Sequence, residues 1–511
     1  MPSYDAIIIG GGTNGLAAAG RLAKAGRKIL VLESAAVAGG GATTKEFAKG
    51  YKVSAVAHLL NLLDPRVEQG LDLKSHDLEF AATNLSTTAL SSTGDHLRFG
   101  GSYGETIAGS LSEADRASWN ELRQKLMRFA SVLRPFKAMT PPRLGKGVGN
   151  EMMKLAGLGF KIRSLGRDDL REFMRLMLIN VADVLDDELK DDRLKGAIAF
   201  DTVLGAHLGP RSPNSLLLLL NRLAGETLSL PAGGMGSVAA AMAKAVQALG
   251  VDIRLNAKVK SVNIVGDKAT GVTLQNGEVI DAMTVISAIN PKTTFLDLVG
   301  PRHLDTGMVR RAGNILMRGN AVKLHLALKG TPDFKGADLK TRLVIAPSVR
   351  AVEDAFNPVK YGDFSQDPVM EIIIPSAFEE GLAPKGHHVL SAIVQYAPVT
   401  MDAKARAAFL KRIMAALETY APGIGKLVVK SELLTPEDLD KQYGFVGGNW
   451  HHGELAAEQM LFLRPFIGAA QYQTAIPGLW LAGAGCHPGG GISGAAGWNA
   501  AERILKMEGR R

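Results

Sequence analysis

Residues 4–33 read YDAIIIGGGTNGLAAAGRLAKAGRKILVLE, and this stretch decides the fold. Tyr4–Ile9 is an unbroken apolar run of strand length, which suits a strand buried on both faces of a parallel sheet. Gly10-Gly11-Gly12-Thr13-Asn14-Gly15 follows at once and leads into an alanine- and leucine-rich helix ending near Gly26. A second strand, Lys28–Glu33, closes a βαβ unit. In the G-x-G-x-x-G pattern Gly10 permits the tight turn, Gly12 lets the backbone approach a pyrophosphate, and Gly15 lets the helix pack closely on the strand. Thr13 and Asn14 complete the turn, and the helix N-terminus behind them favours negative charge. Glu33 ends the second strand, where a carboxylate accepts hydrogen bonds from ribose hydroxyls and disfavours a 2′-phosphate. The motif therefore selects a dinucleotide and disfavours NADP, and by itself leaves NAD and FAD open.

Glycine is 58 of 511 residues, about 11% against a usual ~7%, and the excess lies in this turn and in a second run, Gly483–Gly497. That second run follows an apolar strand, Pro477–Ala482, and opens a closing helix. Glycines at such density expose backbone N–H groups, so two anion-binding helix starts, far apart in sequence, imply one large anionic cofactor between them. A third block, Ser229–Pro291, contains the turn Pro231–Gly236, a helix to about Leu249 and several short strands. It holds no second G-x-G-x-x-G, so the chain offers one dinucleotide site.

Hydrophobic residues make up 46% and charged residues 21%, a globular composition with material for two or three domains. The net charge of +9 is local: Arg123–Arg167 holds eleven basic residues against the single acid Glu151, and the rest is close to neutral. Nucleic acid is not an expected partner, because the basic segment has little aromatic interleaving and no recognised module. Met152, Met153, Leu155, Leu158, Phe160, Ile162 and Leu165 interleave with the charges there. Two readings stay open: a helical insertion lying on an anionic membrane, or a solvated insertion. The one cysteine, Cys486, excludes a disulfide framework, a C-x-x-C pair and a multi-cysteine zinc site. Asp5 precedes the first apolar run and glycines interrupt it, so it reads as neither signal peptide nor membrane span, and the expected location is cytoplasmic or at a membrane surface.

Gly39-Gly40-Gly41-Ala42, six residues beyond Glu33, resembles the E-x5-G-G element that brings the chain close to the flavin in flavoprotein oxidases and desaturases. Many relatives carry arginine after the paired glycines; Gly41 stands there instead, which points away from an amine oxidase. Together with the Pro231–Gly236 turn and the ending Leu481–Ile492, these elements resemble the phytoene desaturase family of FAD-dependent oxidoreductases. Gly447–Glu454, with Gln459 and Arg464-Pro465, resembles its branch of pyridine nucleotide-disulfide oxidoreductase domain-containing proteins, whose disulfide chemistry one cysteine cannot perform. The resemblance implies FAD and an α/β, glutathione-reductase-like (Rossmann-type) domain assembled from residues 1–70, 229–300 and 470–511. An α+β substrate domain, 71–228 and 301–469, would be inserted between them, with the basic insertion at 123–167. It further implies FAD contacts at Gly10, Gly12, Gly15, Glu33, Gly40, Gly41 and Ala42, a backbone contact from Val259 to adenine, and contacts from Gly485, Cys486 and Ile492.

Hydride removal by a flavin leaves a proton to be placed, and histidine titrates in the useful range. His487 beside the glycine loop and His58 are the candidate bases, each with the alternative of a hydrogen-bonded structural histidine. Cys486 reads as a small buried residue beside the cofactor rather than an attachment point. His451 and His452 read as substrate-pocket lining, and no metal is expected. The acids Asp186, Asp187, Glu188, Asp191 and Asp192 read as a helix's solvated face rather than a calcium loop. The function expected is dehydrogenation or saturation of an apolar, carotenoid- or lipid-like substrate, with oxygen, a quinone or another acceptor taking the electrons. A flavin-assisted isomerase and a flavin-binding interaction protein are the alternatives.

Overall fold

The computed structural model describes residues 4–101, 103–142, 157, 159–160, 163–225 and 227–509. β1 (Tyr4–Ile9) runs parallel to β2 (Ile29–Leu32), with α1 (Thr13–Ala23) crossing between them. The isoleucine run alternates: Ile8 faces a core with α1, while Ile7 and Ile9 face a second core on the other side of the sheet. Both faces are covered, which is why the strand needs no polar alternation.

Three distant parts of the chain share this sheet. Its order is Asp252–Arg254, β2, β1, Val279–Ser287. The last strand pairs in parallel with Leu479–Leu481 along its C-terminal half. Its N-terminal half pairs antiparallel with Lys268–Leu274, which in turn pairs with Val259–Val265, so the sheet is mixed. Helices α1, Gly236–Ala248 and Ala495–Glu508 pack together over one face. A Cβ on Gly497 would stand 1.8 Å from the Asn14 carbonyl oxygen, so glycine is what allows the two helices this approach.

A second, eight-stranded sheet has its middle in Ala321–Leu328, His388–Gln395, Val369–Ile373 and Arg342–Ile345. Strand periodicity divides its residues. Leu324, Leu326, Leu343, Met370, Ile372, Leu390 and Ala392 turn to one core with Phe409, Ile413 and Leu417 of helix Ala403–Tyr420. Arg342, Glu371, Ser391 and Lys323, one residue out of phase, turn the other way and are equally buried. Charge thus enters the interior on one face of one sheet.

A helical layer packs at the edge of this sheet around Glu113–Lys137, Asp192–Val203 and Ser215–Leu223. The first half of the expected basic insertion belongs here. Trp119, Leu122, Leu126, Phe129 and Leu133 recur at helical spacing and face the core, and Phe136 continues the stripe, buried against His487. The basic residues between them are tied to protein: Lys125 to Glu188, Arg128 to Asp169, and Lys137 to the Asn221 carbonyl at 2.6 Å. Residues 143–156, 158, 161 and 162, which carry most of the proposed lipid-facing side chains, lie outside the described residues. Among the acids read as a solvated face, Asp191 instead caps Asp192–Val203 by accepting the N–H groups of Arg193 and Leu194. No helix among the described residues is long and apolar enough to cross a membrane.

Candidate functional site

A cavity of about 830 Å³ runs between the two sheets. Its walls include Gly10, Gly12, Thr13, Asn14, Glu33, Gly40, Gly41, Ala42 and Val259 on the dinucleotide side, with Gly490, Gly491 and Ile492 from the C-terminal loop. His58, Asn61, Leu204, Arg222, Leu228, Glu371 and Ile393 line the side facing the second sheet.

The dinucleotide side suits a large anionic ligand. A Cβ on Gly15 would stand 2.0 Å from the Gly10 carbonyl oxygen, so the turn closes only over glycine. On Gly12 it would meet nothing within 4 Å, because that backbone faces the cavity. The Asn14 side-chain oxygen is buried without a hydrogen-bond partner at this wall, as expected where a ligand supplies the donor. The Glu33 carboxylate accepts the Gly11 N–H at 2.7 Å and the Ala35 N–H at 2.8 Å, which fixes it at the end of β2 with acceptor capacity left for hydroxyls. At Gly41 a Cβ would meet the Phe445 ring at 3.0 Å; this aromatic fills the space an arginine would need.

Several expected contacts stand elsewhere. Gly15 and Gly485 act through packing: a Cβ on Gly485 would stand 2.5 Å from the Pro291 ring. Cys486 is buried in the apolar core behind the glycine loop, and burial pushes its thiol up to about 12, so it stays protonated. His487, the first candidate base, is off the cavity as well. Its Nε2 lies 2.8 Å from the Phe136 carbonyl, its ring packs on Phe136, and burial lowers it to about 4. It joins the C-terminal loop to helix Glu113–Lys137, the structural alternative. His451 and His452 do line the cavity, beside Gly490 and Asn290. Burial first and the Arg464 charge second lower them to about 3 and about 4. Arg464 itself is buried and donates to the carbonyls of His451, Gly453, Glu454, Gln459 and Ala484, joining the two loops.

His58 is the candidate base that faces the cavity. Its Nε2 lies 3.0 Å from Glu371 Oε1 and its Nδ1 3.1 Å from the Ser391 hydroxyl. Glu371 Oε2 accepts from Arg342 Nε at 2.6 Å, and Arg342 Nη2 donates to Asp201 at 2.5 Å. Burial lowers His58, the Lys323 charge lowers it further, and together they outweigh the Glu371 bond to leave it at about 4. Burial alone would raise Glu371, but Arg342 and His58 hold it well below the carboxylate range. The site at neutral pH is therefore a neutral imidazole fixed by an ionised carboxylate.

This chain of buried groups was not legible as a set in the sequence, since His58 and Glu371 are 313 residues apart. The available signal was a lone charge in each of two apolar strand runs, Val369–Ile373 and Ala321–Leu328. Replacing Glu371 with alanine is expected to cost about 3–5 kcal/mol, because Arg342 would keep a buried charge with only Asp201 to balance it. Urea unfolding measures this, and an unchanged midpoint would mean that the network contributes no net stability.

Among the described residues no cluster of histidine, cysteine or carboxylate side chains could hold a metal. The profile of the flavin-containing amine oxidoreductase family matches residues 15–505. The pyridine nucleotide-disulfide oxidoreductase domain-containing protein 2 of Rattus norvegicus is 31% identical, over 99% of this chain and 94% of that one. A neurosporene-forming phytoene desaturase of Cereibacter sphaeroides is 29% identical over 62% of this chain and 61% of its own. Among solved structures, cyclohexylamine oxidase from Brevibacterium oxydans superposes with a TM-score of 0.60 at 17% identity, covering 100% of both chains. Gly41 in place of arginine thus does not take the chain out of the amine oxidoreductases. The cavity, its glycine turns and these relatives agree on FAD and on an α/β mixed-sheet oxidoreductase fold: the chain belongs to the flavin-containing amine oxidoreductase family.

Proposed function

We propose that the protein is an FAD-dependent dehydrogenase or desaturase acting on a largely apolar substrate of the lipid or terpenoid class. The observation that carries this reading is the continuity of one cavity from the Gly10–Gly15 turn to a wall containing Leu204, Leu228 and Ile393. Residues 1–70, 229–300 and 470–511 form a glutathione-reductase-like FAD domain in this reading, and the second sheet with its helices forms the substrate domain. Bound FAD supplies the hydride acceptor. Gly10, Gly12, Asn14 and Glu33 would hold its dinucleotide portion, and Gly40–Ala42 with Gly490–Ile492 would hold the remainder of the group. The apolar wall excludes water and aligns the C–H bond to be broken. His58, neutral and fixed by Glu371, receives the substrate proton at Nδ1 in place of the Ser391 hydrogen bond. With one βαβ dinucleotide unit in the chain, electrons leave to oxygen, a quinone or another acceptor. Anaerobic mixing of the yellow protein with candidate alkenes and ketones should bleach the flavin at a rate that follows substrate concentration. No bleaching by any apolar compound, alongside bleaching by simple primary amines, would transfer the assignment to amine oxidation.

A further inference from the structure

Arg222 lies in the last turn of helix Ser215–Leu223, whose leucines fix it in the core, and it lines the cavity. Its guanidinium donates no hydrogen bond among the described residues, while its carbonyl accepts from the Tyr103 hydroxyl at 3.1 Å and the Gly225 N–H at 2.9 Å. Its Nε is buried without a partner. Among the described residues its ion-pair partner is Asp201, 3.5 Å from Nη2, and the same carboxylate oxygen already takes Arg342 Nη2 at 2.5 Å. A guanidinium left this way beside an apolar wall forfeits hydrogen bonds that a ligand acceptor would restore.

The charges nearby define that ligand. Glu371, Arg342, Asp201 and Arg222 alternate in sign and balance in charge; what sets Arg222 apart is that its donors, Nε among them, meet no hydrogen-bond acceptor. A single negative charge with two oxygens matches the guanidinium fork. A dianion would meet Glu371 on the same wall. Leu204, Leu228 and Ile393 beside it suit an alkyl or terpenoid body. We propose that this wall is a carboxylate subsite: the substrate is an amphipathic acid whose carboxylate pairs with Arg222 while its apolar body lies along Leu204, Leu228 and Ile393. The proposal rests on the reading that this chamber receives the substrate, and it names the substrate's polar end.

Equilibrium dialysis of the FAD-loaded protein against radiolabelled decanoate, decan-1-ol and decylamine near neutral pH tests it without requiring turnover. Decanoate should bind about 10- to 100-fold more tightly than decan-1-ol, the range expected for a hydrogen bond to a charged group. Arg222→Met should remove that preference while leaving decan-1-ol affinity and the flavin absorbance in place, and Arg222→Lys should restore part of it. Equal binding of acid and alcohol, a preference for decylamine, no binding of any of the three, or an unchanged decanoate affinity in Arg222→Met would each overturn the subsite. A dehydrogenase that bleaches with neutral substrates but shows no acid preference would retain the proposed function and lose this inference. Acid preference without bleaching would do the reverse.

Discussion

Lowering the pH from 6.5 towards 4 should unfold the protein and release its flavin. Five histidines, His58, His325, His451, His452 and His487, are buried in the interior or at the cavity wall. Burial lowers His58, His325, His452 and His487 to about 4 and His451 to about 3. In the unfolded chain each titrates near 6.5, so below that pH the unfolded state binds protons that the folded state refuses. Stability therefore falls as pH falls through this window, by about 1.4 kcal/mol per pH unit for each histidine, and is flat with respect to them above it. Five such groups exhaust a typical stability of about 5–15 kcal/mol within about two units. Glu371 and Glu432 act in the same direction lower down: both are held below the ordinary carboxylate range, so the stability they add is present above about 4.5 and lost on further acidification. Far-ultraviolet circular dichroism and flavin fluorescence against pH would follow the transition. A native spectrum persisting at pH 4 would show that these side chains gain water or partners in acid.

The second large effect concerns two glycines of one turn. Gly15→Ala places a Cβ 2.0 Å from the Gly10 carbonyl oxygen and 3.3 Å from the Ala288 side chain. No rotamer relieves a Cβ clash, so α1 must move away from β1, at a cost at or above the usual 1–3 kcal/mol (about) of overpacking. This variant should emerge colourless and destabilised. Gly12→Ala is the contrast: its φ of −69° is open to alanine and its Cβ meets no protein atom within 4 Å, yet it faces the cavity. It should fold like the wild type and retain little FAD. Absorbance at the flavin band and thermal denaturation of the apoproteins separate the two outcomes. A yellow Gly15→Ala protein of normal stability would mean that the turn has slack.

The parts of the site that the sequence made legible are those where one residue type has a local, backbone reason to be present. The glycines at 10, 12 and 15 and Glu33 belong to a contiguous βαβ unit, and hydrophobic periodicity alone orders it. His487 misled because proximity in sequence to the glycine loop is not proximity to the cavity: its side chain turns to Phe136, 351 residues away. Arg222, Asp201 and Arg342 come from separate elements, and what brings them together is the packing of the helical layer on the second sheet. In the described first part of the basic segment the charge pattern along the chain hides a second pattern: Leu126, Phe129 and Leu133 repeat around a helix axis, and the axis decides what is buried.

The sheet that carries the first glycine turn is finished by Leu479–Leu481, and Gly497 of the helix after it seats against Asn14. Synthesis therefore delivers two pieces of the cofactor chamber widely separated in time. Until Leu479–Leu481 and Ala495–Glu508 have left the ribosome, α1 lacks one of its two covering helices and the strand Val279–Ser287 lacks its second parallel neighbour. A nascent chain in that condition shows apolar surface and an open strand edge for most of its synthesis, the circumstances under which chaperone binding and early aggregation compete. FAD uptake then follows the synthesis of the later segment and ties the two together, so yield on expression should depend on flavin supply at that stage more than on the rate of translation itself.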